Sequence, residues 1–274
     1  MTDWSASTRV LAALLGLTVT LAAVVVRRDA HLTCRDGLRR SGPRCCVVVA
    51  PNGACTSGVS PNQAHDRIHL SPRGTTLRGQ SFERPHASTD SVQLAPFALM
   101  RTEVRCADAL AVLGSDASLE TRNLCRDDAE RAAGGLRFSD AERICASMGG
   151  RVPSEAEWQR AAGAGGTRYP WGETGATCRA AVWGMTRGPC AHAADGPDTT
   201  NARPGGKSPD GFVDLAGNVA EWVSTAGAPV LKGGDYTSID ASELRVFSRR
   251  KATASEASDR NGARCAFDEA SPVP

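Results

Sequence analysis

Short helices, tight turns and stretches without helical period are what the residues of this sequence predict, and three observations predict them. Two blocks, GGRVPSEAEWQRAAGAGGTRYPWGE from Gly149 and DGFVDLAGNVAEWV from Asp210, combine tryptophans, glycines and carboxylates at fixed offsets. Such side chains stop helices, turn the backbone or present oxygen atoms, which constrains a fold more tightly than a chemistry. Two capping-box spacings, Ser139 to Glu142 and Ser154 to Glu157, place short helices within 139–162. Between Gly53 and Gly79 the chain shows no strong helical period.

The elements follow in order along the 274 residues. Val10 to Val26 is an apolar run of about 25 Å if helical, just short of a hydrocarbon core of about 30 Å, and it reads as a signal peptide or a membrane anchor within 1–30. Residues 31–65 read as a cysteine-rich linker, residues 66–268 as one domain and 269–274 as a tail; about 200 residues can bury a core of ordinary size. The first capping box precedes Ile144, Cys145 and Met148, which share one apolar helical face, and Gly149 and Gly150 can end that helix in a left-handed cap. The second box starts another short helix. Gly163 to Gly166 then break regularity, and Tyr169-Pro170-Trp171-Gly172 reads as an aromatic turn over a core.

A net charge of +2, with no basic stripe interleaved with aromatics, gives nucleic-acid binding no support. Ten cysteines without a zinc-type CxxC pair suggest disulfides and an oxidising compartment. Arg27 and Arg28 after the apolar run favour the opposite orientation. The cysteines carry more weight, and the chain reads as extracytoplasmic. Adjacent Cys45 and Cys46 do not pair with each other, which leaves two connectivities among Cys34, Cys45, Cys46 and Cys55. His65 and His69 stand at i, i+4 but beside Pro61 and Pro72, and read as exposed histidines. GAGGTRYP lacks the Lys-Ser/Thr of a phosphate loop. In the second block Asp214, the carbonyls of Gly217 and Val219, and Glu221 offer hard oxygen donors to a cation such as calcium; spacing alone favours a satisfied turn, with Asp214 capping backbone N–H groups and Asn218 at positive φ.

Taken together, RVPSEAEW, RYPWGE, DLAGNVAEW, LKGGDY and NGARCAF resemble the sulfatase-modifying-factor family, whose best-known member is the formylglycine-generating enzyme. RIHLSPRGTTLRGQSF resembles the opening strand and turn of that domain. VQLAPFALMRTEVRCADAL resembles the segment delivering a phenylalanine and the Glu103-Val104 pair into the first helix, and LRFSDAERICASMGG resembles the second helix. The resemblance spans about residues 66–268. It implies an α+β fold, a C-type-lectin-like variant with much irregular structure, long ordered loops and bound calcium, and a disulfide between Cys145 and Cys265 joining the two ends of the domain; Cys106 with Cys125 and Cys178 with Cys190 are expected to close local loops.

In the family's oxidising members two cysteines after the Gly-Gly motif hold copper(I), which requires soft thiolates. LKGGDYTSIDASELR places Ser238 and Glu243 at those positions, so copper is not expected and the formylglycine-generating activity is not expected either. The iron-dependent sulfoxide synthases of this superfamily draw on a histidine cluster, and this chain has five histidines. Of the family's calcium sites, one is retained in type through Asp214, Gly217, Val219 and Glu221. The other has Ala181 for an asparagine ligand, leaving Val182, Asp210 and Phe212. The reading is therefore a binding or scaffold module whose partner is an extracytoplasmic protein, peptide or glycan, with membrane attachment if the N-terminal helix is uncleaved. The alternative is an enzyme with a rebuilt site in the family's substrate groove, for which Trp222, Asp235, Tyr236, Ser238, Glu243 and Arg245 are the candidates. A carbohydrate-binding role rests on fold analogy alone.

Overall fold

The computed structural model describes residues 39–41, 44–49, 55–59, 67–70, 74–78 and 89–268, apart from 164–165 and 192–195. The apolar run at 10–26, the tail and the side-chain pairing of Cys34, Cys45, Cys46 and Cys55 lie outside the described residues. Within the stretch read as a linker, β1 (Arg39–Ser41), β2 (Arg44–Val49) and β3 (Cys55–Val59) form an antiparallel three-stranded sheet. β4 (Arg67–Leu70) carries His69 opposite Ala98, so His65 and His69 do not share a helix. β5 (Gly74–Arg78) and β6 (Thr89–Gln93) pair as an antiparallel hairpin.

β7 (Phe97–Met100) is buried at all four residues, because it is the middle strand of a sheet ordered β12, β7, β4, where β12 is Ala266–Asp268. The domain's first and last segments therefore meet on one strand. α1 (Cys106–Leu113) follows β7, then α2 (Leu119–Leu124), α3 (Phe138–Ser147) and α4 (Glu155–Gly163). α3 begins two residues earlier than the Ser139 box predicts, with Arg137 at the N-cap. Asp140 accepts from the Arg137 backbone N–H at 3.0 Å, so the carboxylate three residues after Arg137 takes the capping role assigned to Glu142. Gly149, at φ 76°, ends α3 as expected. The second box forms as read: Glu157 Oε2 accepts from the Ser154 N–H at 2.7 Å, and the Glu157 N–H donates to Ser154 Oγ at 3.3 Å.

The second sheet runs β10 (Arg249–Lys251), β9 (Val230–Lys232), β8 (Ala220–Val223) and β11 (Asn261–Gly262). Alternation along β8 separates two apolar clusters. Trp222 and Leu231 pack with α1 and α3, whereas Val223 and Val230 pack with Trp158, Ala161 and Ala162 of α4. A third cluster gathers Tyr169, Trp183, Met185, Tyr236 and Leu244, with Tyr169 and Trp171 stacked at 5.1 Å. Disulfides join Cys145 to Cys265, Cys106 to Cys125 and Cys178 to Cys190, the three pairings the sequence predicts for this domain.

Candidate functional site

Two polar constellations stand out against this frame. The first is buried. The turn 214–219 holds two non-glycine residues in left-handed conformation, Asp214 at φ 57° and Asn218 at φ 62°. Gly217 between them cannot carry a side chain, since a Cβ there would lie 2.3 Å from the Val182 carbonyl oxygen. Asn218 ties the turn to the rest of the domain. Its Nδ2 donates to Glu103 Oε2 at 2.6 Å, and its Oδ1 accepts from the Asp198 N–H at 2.8 Å. Glu103 also accepts from the Val219 N–H at 3.1 Å.

Glu221 lies on the next strand, 1% exposed. Arg264 grips both of its oxygens, Nη2 at 2.6 Å and Nε at 2.7 Å, and Trp158 Nε1 donates to Oε2 at 2.6 Å. One guanidinium thus faces three buried carboxylates. Burial, then the Asp214 and Glu221 charges, push Glu103 well above the usual carboxylate range against the pull of Arg264 and the Val219 N–H. Burial pushes Asp214 up to about 6, opposed by the Asn201 N–H and Arg264 and reinforced by Glu221 and Asp198.

As a cation site this constellation has a fitting charge and a partial donor set. Among the described residues no three His, Cys, Asp or Glu side chains converge as a metal cluster. Glu221, expected as a ligand, points its oxygens at Arg264 and Trp158 because a buried carboxylate needs charge-assisted partners. A carboxylate offers about four lone-pair sites, of which three are taken here. The Val182 carbonyl accepts from the Asn218 N–H at 2.7 Å, and Asp210 pairs with Arg160 at 2.6 Å.

The second constellation is an open cleft of about 210 Å³ where β9 ends. Ala220 and Leu231 line its apolar part, and Gly233 and Gly234 bring bare backbone to its wall. Asp235 and Glu243 line it from one side, Arg249 and Arg250 from β10. Ser238 Oγ donates to Glu243 Oε2 at 2.8 Å and accepts from the Asp235 N–H at 3.1 Å. The two positions expected from the resemblance to stand for the copper cysteines are therefore adjacent and engaged with each other. Tyr236 turns its hydroxyl to Asp259 at 2.7 Å, and burial followed by that carboxylate raises its pKa. Arg245 buries its Nε without a hydrogen-bond partner among the described residues.

Trp222 does not belong to the groove. It is fully buried, its Nε1 donates to the Leu136 carbonyl at 2.7 Å, and Phe138 meets it edge to face at 5.8 Å. Alternation in β8 turns it into the core, and the buried N–H finds its partner there. Sequence reasoning passed over Arg264, Lys232, Arg249 and Arg250. Lys232 between buried Leu231 and Gly233, and Arg264 between Ala263 and Cys265, were legible as charges inside apolar runs.

The mixed helix-and-sheet scaffold, the capped α4, the 214–221 turn and the terminal disulfide define a domain of the formylglycine-generating-enzyme kind. The chain belongs to the sulfatase-modifying factor enzyme 1-like domain family, which matches residues 55–269. It is 34% identical over 155 residues to the inactive C-alpha-formylglycine-generating enzyme 2 of Mus musculus, covering 50% of this chain and 49% of that protein. It is 32% identical over 165 residues to the formylglycine-generating enzyme of Streptomyces coelicolor, covering 48% and 51%. The chain thus spans about half the length of these relatives. Among solved structures it shares its fold with Treponema denticola variable protein 1, at a TM-score of 0.57 and 16% identity over 73% of this chain and 94% of that one. PvdO from Pseudomonas aeruginosa gives a TM-score of 0.57 and 19% identity over 73% and 93%.

Proposed function

We propose that this chain is an exported, disulfide-stabilised binding or scaffold module built on a C-type-lectin-like variant of the family fold, without formylglycine-generating activity. The observation that carries the reading is the Ser238 to Glu243 hydrogen bond of 2.8 Å at the positions of the copper cysteines. A hydroxyl and a carboxylate are hard donors and do not replace a pair of soft thiolates for copper(I). Similarity alone does not separate the activities, since a relative named inactive and one named as the enzyme match equally well. The residues do.

Three disulfides in the described domain support an oxidising, extracytoplasmic setting. Among the described residues no helix is long and apolar enough to cross a membrane, so attachment through 10–26 rests on the sequence. The partner is an extracytoplasmic protein, peptide or glycan. A calcium ion belongs to this reading as a structural ligand of the 214–221 turn, with Asp214 and the carbonyls of Gly217 and Val219 as donors and Glu221 contributing through its remaining lone-pair site. Calcium prefers hard oxygen donors. It would offset the excess of three buried carboxylates over one guanidinium.

Metal analysis of the purified protein tests the reading. About one calcium and no copper or iron per chain is the expected result, and chelation should lower Tm by removing a ligand that binds only the folded state. Asp214→Ala should lower Tm similarly and abolish the chelator effect. Stoichiometric copper or iron would overturn the module reading.

A further inference from the structure

We propose that the cleft beside Ser238 and Glu243 binds a single apolar α-amino acid as its zwitterion, with the ammonium on Asp235 and Glu243 and the carboxylate on Arg249 and Arg250. The proposal rests on the reading of the chain as a binding module and names the ligand class of that cleft.

Size comes first. At about 210 Å³ the cleft is smaller than the roughly 300–1,000 Å³ of sites for drug-sized ligands, and it suits a molecule of one residue. Charge comes second. The acidic and basic residues line one cavity from different segments, the 235–243 loop and β10. A simple amine would engage the first pair only and a simple anion the second, so each would leave the remaining bonding capacity of the other pair unused. A zwitterion satisfies both.

Both poles retain bonding capacity. Asp235 Oδ1 accepts from the Thr237 N–H and hydroxyl, and Glu243 Oε2 accepts from Ser238; Asp235 Oδ2 and Glu243 Oε1 accept none of the described bonds. A guanidinium carries five N–H donors. Arg249 uses one on Glu155, and Arg250 uses two, on Glu256 and Asn261. The existing partners hold the groups in place without exhausting them. Ala220 and Leu231 then leave an apolar wall for the side chain, which favours leucine or methionine over lysine or aspartate.

Calorimetric titration of the intact, disulfide-bonded protein with leucine, methionine, lysine, aspartate, N-acetyl-leucine and leucinamide tests the proposal. Leucine or methionine should bind one to one, and the two blocked derivatives should bind about tenfold or more weakly, since each lacks one charged partner. Glu243→Gln, which keeps the contact to Ser238, and Arg249→Gln, on the exposed edge strand, should each lose about tenfold or more while circular dichroism shows the fold intact. No binding of leucine or methionine at millimolar concentration overturns the proposal. So does equal binding of the blocked derivatives, or unaltered binding in both variants. Failure here with no copper or iron in the protein would sink the amino-acid ligand and leave the module reading standing. Stoichiometric copper or iron would sink the module reading whatever the titration gives.

Discussion

Lys232 is a charge in an apolar place: 1% exposed, 3.4 Å from Glu155 Oε1 and 5.4 Å from the Trp158 ring centroid. Burial lowers its pKa from 10.5 to about 8, with Glu155 opposing and Arg249, which also binds Glu155, adding to the fall. Below pH 8 the folded and unfolded chains both carry the proton, and the folded chain bears the whole cost of burying it. Between pH 8 and 10.5 the folded chain has released the proton and the unfolded chain has not, so this group makes stability rise with pH across that window. At about 1.4 kcal/mol per pKa unit the cost is about 3 kcal/mol. Lys232→Met should therefore stabilise the protein near neutral pH by about 1–3 kcal/mol and flatten the rise at higher pH. Urea unfolding at the two pH values measures both effects. Destabilisation near neutral pH would show that the contact with Glu155 outweighs desolvation.

Arg264 behaves in the opposite sense. It donates to Glu221 and to the carbonyls of Met100, Arg101 and Val213, so it ties β7, the 214–221 turn and the segment before β12 together. Arg264→Met would leave Glu103, Asp214 and Glu221 buried with no guanidinium, and should cost about 3–5 kcal/mol or prevent folding. Circular dichroism under thermal ramp reads the loss. A variant as stable as the parent would show that the contacts of the guanidinium do not exceed the cost of burying it.

At the scale of elements α3 and α4 were legible, α1 only through the family resemblance, and α2 and most strands were not. α4 carries Ser154 and Glu157 at the spacing a capping box needs, and it forms there. α3 carries two such spacings, Arg137 to Asp140 and Ser139 to Glu142, and a preference for hydroxyl caps selects the wrong one. Strands of two to six residues hold too few alternations to read. β8 and β11 pair in parallel although some forty residues separate them, and nothing local to Asn261–Gly262 announces it. RCCVVV does have strand character, but its setting among cysteines, glycines and prolines reads as a spacer. In the site, the 214–221 turn and the Ser238 and Glu243 positions were legible as motifs. The partner of Glu221 was not, because Arg264 lies 43 residues away and only folding brings it there. Trp222 was misplaced because a tryptophan next to a motif carries no sign of the sheet face it occupies.

The disulfides also differ by element. Cys178 is exposed, whereas Cys106, Cys125, Cys145 and Cys265 are buried. Thiol exchange requires access to a sulfur. Mild reduction followed by alkylation and peptide mapping should label Cys178 and Cys190 before the other four. Earlier labelling of Cys145 or Cys265 would show that the helix-to-strand junction opens more readily than the local loop.

At the scale of the whole molecule, the Cys145 to Cys265 bond closes a separation of 120 residues and fastens α3 to the strand that pairs with β7. Loop-closure entropy of that size corresponds to about 4–5 kcal/mol. This scaffold holds the 235–245 segment in place whatever chemistry stands on it, which is how one fold can carry an oxidase in one chain and a binding site in another. In this chain Ser238 and Glu243 meet each other at 2.8 Å, and all six cysteines of the described domain from Cys106 onward are in disulfides. The most direct measurement is incubation of the purified protein with copper and a cysteine-containing sulfatase-motif peptide, followed by mass spectrometry of the product. The peptide should be recovered with its cysteine unconverted, at the level of a metal-only control. Conversion to the aldehyde above that control would contradict the claim and show that this chain builds an oxidising site without the paired thiolates.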